Sequence, residues 1–306
     1  MIKVTSRSFS LHPVLRRELL AKFPDVVFND SGPALVDARL IDFLKGAEGA
    51  IVSLELITDA VLAQLPELRV IAKYGVGIDN LDQDAMKRRN VALGWTGGLN
   101  KRGVAEMTLC FMIGLCRHIL FSERELIRAK DWTKNGGVQL SGRTVGIVGC
   151  GFVGKDLIEL LKPFGCRILV NDILDQRDYY KSVGVTAATK EQIWAEADVV
   201  TVHTPLDDAT RGLIDLSVFK KMKRSAYFIN AARGPIVNQA DLKRALKEGL
   251  IAGAAIDVFE AEPCDDAELM ALPNLYCTPH TGGSADESIL AMGRSAIAHL
   301  AGFFKV

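Results

Sequence analysis

Short apolar runs alternate along nearly the whole chain with stretches whose apolar residues recur three and four positions apart. The runs read as buried strands and the longer periodic stretches as amphipathic helices. In the first part of the chain this pattern predicts strands at 2–4, 26–28, 50–52, 70–72 and 91–93. Helices are expected between them at about 13–22, 34–44, 58–65 and 82–89. Such alternation implies a parallel sheet covered by helices on both faces. The glycine-rich segment Gly94-Trp95-Thr96-Gly97-Gly98 then breaks the pattern. A single long apolar helix is expected after it, over 104–121, with Glu106 in the first turn, where the helix dipole favours an acid.

A second break at Asn135-Gly136-Gly137 opens a new alternation, with strands expected at 144–148, 167–170, 199–203, 227–230, 254–257 and 276–278. Six strands with intervening helices fit one doubly wound nucleotide-binding domain. The tail from Ser284 reads as a helix that cannot form a domain alone and is expected to pack back on the first one. The expected fold class is therefore α/β with two doubly wound parallel-sheet domains. A discontinuous small domain comprises 1–98 and 284–306, and a large domain, 99–283, is inserted into it.

Composition then removes some function classes. Among 306 residues, 37 basic side chains balance 37 acidic ones, which argues against a nucleic-acid partner and against an acidic disordered tail. The first residues hold no apolar run long enough for a signal-peptide core. The longest apolar stretch, 107–116, is cut by Arg117 and His118, short of the roughly 18 residues that span a bilayer, so no membrane partner is expected. Cys110, Cys116, Cys150, Cys166, Cys264 and Cys277 form no CxxC pair and no metal-ligand spacing with histidine. No metal site is expected, and the thiols suggest a reducing cytoplasm; Cys110, Cys150 and Cys166, in apolar contexts, read as packed thiols.

The glycine excess points to chemistry. Gly149-Cys150-Gly151-Phe152-Val153-Gly154 follows an expected strand and opens an expected helix. In such a loop the first glycine permits a tight turn and the second lets a pyrophosphate approach the backbone. The third lets helix and strand pack closely, and the helix N-terminus holds the phosphate. Asp172 closes the next strand at the spacing expected of a ribose-binding carboxylate, which favours NAD; Arg177 downstream leaves room for NADP. Arg233, Glu262 and His280 each follow an expected strand of the second domain, where ligands of open α/β sheets bind. Arginine can grip a carboxylate with two parallel hydrogen bonds, and a glutamate beside a histidine fixes the ring and favours its proton. Taken singly, each also fits a bland role: a surface ion pair, a solvated acid before Pro263, a hydrogen bond in a turn.

Seven blocks in order resemble the D-isomer-specific 2-hydroxyacid dehydrogenase family, whose best-known branch is phosphoglycerate dehydrogenase. They are Tyr74-Gly75-Val76-Gly77-Ile78-Asp79-Asn80, Val104-Ala105-Glu106, the glycine loop and His203-Thr204-Pro205-Leu206, followed by the blocks 230–234, 257–263 and 278–283. The resemblance implies a Rossmann-type NAD-binding domain inserted into a flavodoxin-like substrate domain. It implies hydride transfer between nicotinamide C4 and C2 of a 2-hydroxy acid, with His280 as acid/base, Glu262 as its partner and Arg233 on the substrate carboxylate. Gly149, Gly151, Gly154 and Gly282, with backbone N–H groups of Phe152 and Val153, would serve the cofactor, and Asp172 would take the adenosine ribose. His203, Thr204, Pro205, Ala231, Ala232, Arg233 and His280 would line the cofactor groove, and Asp257 would hold the carboxamide. Tyr74, Gly75, Val76 and Gly77 would cup the substrate carboxylate with main-chain N–H groups, beside Asn100.

The resemblance leaves the acid open. Phosphoglycerate enzymes carry a phosphate-binding arginine after the third strand, whereas this chain has Val52-Ser53-Leu54-Glu55. Lys101 and Arg102, beside Asn100, could substitute for it or simply begin a solvated helix, and no regulatory segment is expected after Val306. A small 2-keto acid such as glyoxylate, hydroxypyruvate or pyruvate therefore competes with a phosphorylated one. A non-enzymatic relative of the corepressor type is a third reading, against which all three catalytic positions speak. The helix containing Met107, Leu109, Phe111, Ile113 and Leu115 is apolar nearly all round. That is consistent with a core helix or, as the family implies, a homodimer formed through the NAD-binding domain.

Overall fold

The computed structural model describes residues 1–30, 35–134 and 136–306. Asn135, at the second expected break, and Ala34, at the start of an expected helix, lie outside the described residues. The chain divides into two units, Met1–Asn100 with Ser284–Val306, and Lys101–Gly283.

The first unit holds five parallel strands: β1 (Ile2–Val4), β2 (Val26–Phe28), β3 (Gly49–Val52), β4 (Val70–Lys73) and β5 (Ala92–Gly94). Their order is β2-β1-β3-β4-β5, the flavodoxin-like winding. Strands β3 and β4 are buried along their whole length, which explains why they read as unbroken apolar runs. Alternate residues feed opposite faces. Ala50, Val52 and Ile71 join Leu40, Leu44 and Met86 on one side, while Ile51, Val70 and Ala72 join Phe9, Leu15 and Leu300 on the other. The C-terminal helix Asp286–Phe304 supplies the second face through Met292, Ala296, Ile297 and Leu300, which is why the tail belongs to this unit. One short helix, Arg7–Leu11, has no counterpart in the expected elements. Too short for a period, it is defined by its caps, with Ser6 Oγ accepting from Phe9 N–H.

The second unit holds seven parallel strands: β6 (Thr144–Val148), β7 (Arg167–Asn171), β8 (Thr186–Ala187), β9 (Val199–Val202), β10 (Tyr227–Asn230), β11 (Gly253–Ile256) and β12 (Leu275–Cys277). Their order is β12-β11-β10-β9-β6-β7-β8. Seven strands, rather than six, form this sheet. The extra one, β8, has two exposed residues at the edge and so carries no apolar signal. The winding reverses between β6 and β9, placing the switch point of a dinucleotide fold at their C-terminal ends.

The long helix is also corrected. It runs from Lys101 to Cys116, breaks, and resumes as Ile119–Ala129 at 62°. The break falls on His118, whose backbone is left-handed (φ 52°) and whose Nε2 lies 3.0 Å from the Tyr227 hydroxyl. Because the helix begins at Lys101, Glu106 lies in the second turn, beyond the strongest reach of the dipole. Cys110 is exposed on this helix rather than packed, since a helix apolar on every side leaves one side uncovered within a single unit. Cys150 and Cys116 are buried, and burial pushes both thiols up to about 11, so they are neutral packing groups. Among the described residues no single helix is long and apolar enough to cross a membrane.

Candidate functional site

The glycine loop sits at the switch point. Gly149 follows β6 with φ 98°, and a side chain there would lie 2.5 Å from the carbonyl oxygen of His203, which follows the neighbouring strand β9. Only glycine satisfies both conditions. A side chain on Gly154 would strike the Gly149 carbonyl, so the helix Phe152–Leu161 can close onto the loop only there. At Gly151, by contrast, a side chain would meet nothing, so the loop is open on the side where a ligand would approach. The helix start has no side-chain cap, and its first N–H groups, including those of Phe152 and Val153, have no intrahelical partner. Open space, uncapped N–H groups and a positive dipole end fit a pyrophosphate.

Asp172 follows β7 directly. Its Oδ2 accepts from Cys150 N–H at 2.6 Å and its Oδ1 from Leu174 N–H at 2.8 Å, so the carboxylate is held at the lip of the loop. Arg177 is turned away from it onto Asp175, at 2.6 Å. His203 N–H donates to Val148 O, and its Nε2 lies 3.0 Å from Thr201 Oγ1. Burial pushes this imidazole down to about 4, so it is neutral at physiological pH. Thr204 Oγ1 is shielded from solvent without a hydrogen-bond partner, and Pro205 is exposed beside it.

Arg233, Glu262 and His280 follow β10, β11 and β12, three adjacent parallel strands, at their C-terminal ends. His280 Nδ1 lies 2.7 Å from Glu262 Oε2, and Glu262 Oε1 accepts from Phe259 N–H at 3.0 Å. A carboxylate can only accept, so Nδ1 carries the proton and Nε2 is left without one in the neutral ring. Arg233 Nη1 donates to Ala232 O at 2.8 Å. Its loop is braced by the buried Asn230, which accepts from Ala232 N–H and donates to Arg233 O. A side chain on Gly234 would overlap the Phe259 carbonyl, so the arginine loop and the glutamate loop lie in direct backbone contact. Ala231 and Ala232 are half-buried in the same turn.

Asp257, 1% exposed, organises the histidine loop. Its Oδ1 accepts from Thr278 Oγ1 at 2.5 Å and Thr281 N–H at 2.8 Å, its Oδ2 accepts from Gly282 N–H at 2.8 Å, and its backbone carbonyl accepts from His280 N–H. These bonds hold His280 in a left-handed conformation, φ 53°, which costs a side-chain-bearing residue about 1–2 kcal/mol. Asn230, Thr278 and Thr281 were not among the expected site residues. A polar residue ending a fully buried strand, as Asn230 does, is the signal that points to the first of them.

In the other unit, Tyr74–Gly77 follows β4. The Tyr74 ring is buried edge-on against Phe9, centroids 5.3 Å apart, so its side chain belongs to the core. Gly75 has φ 144°, and among the described residues the N–H groups of Gly75, Val76 and Gly77 take no protein partner. Beneath the loop, Lys73 bonds to Ser53 O and, at 2.6 Å, to Asn80 Oδ1, while Asn80 donates to Ser53 O and Glu55 O. Asn100 ends this unit and precedes the helix Lys101–Cys116. Arg102 forms a two-point pair with the buried Asp156, at 2.9 and 3.2 Å.

Comparison with known proteins gives the family. Residues 109–282 match the family described as D-isomer specific 2-hydroxyacid dehydrogenase, NAD binding domain. The chain is 34% identical to a glyoxylate reductase of Aeropyrum pernix, over 94% of this chain and 88% of the relative. It is 35% identical to a D-3-phosphoglycerate dehydrogenase of Bacillus subtilis, over 76% of this chain but only 45% of that longer relative. A crystal structure assigned to a D-isomer specific 2-hydroxyacid dehydrogenase, NAD-binding, from Polaromonas sp. JS6 66 superposes with a TM-score of 0.89 at 26% identity, covering 99% of this chain and 96% of that one. Fold, glycine loop and sequence relatives converge: this chain belongs to the D-isomer specific 2-hydroxyacid dehydrogenase family, NAD-dependent oxidoreductases that act on CH–OH donors.

Proposed function

We propose that the protein interconverts a small, unphosphorylated 2-keto acid and its D-2-hydroxy acid, with His280 as the acid/base. The observation that carries the reading is the 2.7 Å contact of His280 Nδ1 with Glu262, which leaves Nε2 available for a proton. NAD, when bound, exchanges a hydride at nicotinamide C4 with C2 of the acid. In the oxidative direction Nε2 of His280 takes the hydroxyl proton; in reduction it returns that proton to the carbonyl oxygen. Glu262 keeps the ring in the required tautomer and stabilises the imidazolium. Arg233 holds the carboxylate and the C2 oxygen, assisted by the N–H groups of Gly75, Val76 and Gly77, with Asn100 on the substrate side. Phe152 and Val153 N–H groups hold the pyrophosphate, Asp172 takes the ribose, and His203, Thr204, Pro205, Ala231, Ala232 and Gly282 line the groove. Asp257 takes the carboxamide with a carboxylate that also holds the histidine loop.

Charge disfavours a phosphate on the substrate. The Ser53–Glu55 turn carries an acid and no base, with Glu55 Oε2 accepting from Ser53 N–H at 2.7 Å. Arg102 already serves Asp156. A panel of 2-keto acids assayed with NADH and with NADPH tests the reading. Turnover of glyoxylate, hydroxypyruvate or pyruvate with NADH preferred is expected; turnover of a phosphorylated acid alone would contradict it. A homodimer through the NAD-binding unit is part of the proposal, because the helix Ile119–Ala129 buries none of its residues and exposes Ile119, Leu126 and Ile127. Sedimentation at micromolar concentration should show a dimer, and monomer alone would remove that part.

A further inference from the structure

The segment Gly94–Gly98 is a sequence break that the active site leaves unexplained. Trp95 within it is half-buried, and its indole Nε1–H donates to the carbonyl oxygen of Val76 at 2.9 Å. That carbonyl belongs to the peptide joining Val76 to Gly77. In a trans peptide the C=O and N–H groups point to opposite sides. Holding the Val76 oxygen on the indole therefore turns the Gly77 N–H away from Trp95 and fixes the direction in which it can donate. The loop needs such a constraint, since Gly75 and Gly77 flank Val76 and glycine restrains its own backbone least.

The indole is itself held. Thr96 Oγ1 lies 2.9 Å from His299 Nε2 and accepts from Ser295 Oγ at 3.0 Å, tying the segment to two positions four residues apart on the helix Asp286–Phe304. The other end of the loop is fixed from below, where Lys73 and Asn80 bind the Ser53–Glu55 turn. Between these two supports, among the described residues, the Val76–Gly77 peptide has a single bond from a side chain, and it comes from Trp95.

We propose that Trp95 is a positioning residue for substrate binding, locking the Val76–Gly77 peptide so that the Gly77 N–H faces the carboxylate of the 2-keto acid. This rests on the reading of the Tyr74–Gly77 loop as the carboxylate cradle. Trp95 touches neither substrate nor cofactor and acts only through that peptide. Its loss weakens binding of the acid and leaves hydride transfer and NADH binding intact.

The test pairs two variants with one measurement on the unaltered protein. Trp95→Phe keeps the ring and removes the donor. KM for the best 2-keto acid and Ki for oxamate should rise together, about 3- to 10-fold for one lost neutral hydrogen bond. The kcat should stay within about twofold and the Kd of NADH should not move. A change confined to kcat, or an unchanged KM, overturns the proposal. Gly75→Ala separates the proposal from the reading beneath it, because φ 144° there is strained for alanine. If Gly75→Ala raises KM while Trp95→Phe does not, the cradle stands and the role of Trp95 falls. If neither raises KM, both fall. In the unaltered protein, oxamate at saturation should shift the indole N–H resonance of Trp95 and leave that of the exposed Trp132 in place. No shift at Trp95 overturns the proposal even if a variant fails to fold.

Discussion

The glycine loop and the histidine corner lie on the same edge of one sheet and are built in opposite ways. At the glycine loop, geometry comes from side chains that are missing: Gly149 and Gly154 let backbone meet backbone, and Gly151 leaves space. At the corner, geometry comes from side chains that are present. Asp257 reaches across the sequence to hold the His280 loop, while Glu262 and Asn230 bond within their own turns to Phe259 and to the Arg233 loop. The loop therefore tolerates no added size at Gly149 and Gly154, whereas the corner tolerates size better than a lost acceptor.

That contrast sets the order of expected damage. Gly149→Ala should be the most harmful, because a methyl group at φ 98° would overlap the His203 carbonyl. The Kd for NADH should weaken by about 100-fold or more, consistent with 3 kcal/mol of strain and lost phosphate contacts, by fluorescence titration. Asp257→Asn preserves size and replaces an acceptor with a donor facing a backbone N–H. One buried N–H is then unsatisfied, at a cost of about 1–3 kcal/mol. Thermal denaturation should report that loss, and kcat should fall roughly 10- to 100-fold as His280 leaves its left-handed conformation. If Asp257→Asn leaves kcat intact, side-chain bracing is not what positions the histidine.

The smallest effect concerns His203, whose carbonyl faces Gly149 of the loop. Its folded-state value, about 4, lies below the ordinary value of 6.5. The unfolded state therefore binds more protons between these two values. Stability contributed by the neutral ring is complete above pH 6.5 and is lost as pH falls toward 4. Between pH 7 and 5 the loss from this group is at most about 2 kcal/mol. His203→Gln should flatten that part of the stability profile in urea unfolding. An unchanged slope would show that the ring titrates normally.

The same contrast explains what could be read from the amino acids alone. Buried strands such as β3, β4 and β9 announce themselves, because both faces are covered and the run is unbroken. The glycine loop is legible for a related reason: close backbone approach restricts Gly149 and Gly154 to one residue type, and the two positions are near one another. The edge strand β8 and the break at His118 were not legible, since neither depends on a local apolar pattern. At the corner, the residue types Arg233, Glu262 and His280 stand out, but their meeting does not. It is produced by the parallel register of β10, β11 and β12, a long-range property that no local spacing encodes. Asp257 illustrates the limit best, because a carboxylate after a buried strand looks like a ligand group, and here it is also the anchor of the loop bearing His280.

In the proposed reaction His280 moves the proton, while the glycine loop and Asp172 hold most of the cofactor. Single-turnover reduction of the preferred 2-keto acid by pre-bound NADH, compared between the unaltered protein and His280→Ala, tests both halves at once. The expected result is a hydride-transfer rate lower by about 10²–10⁴-fold with the Kd of NADH within a few-fold of the unaltered protein's. A rate within a few-fold of the unaltered protein would contradict it.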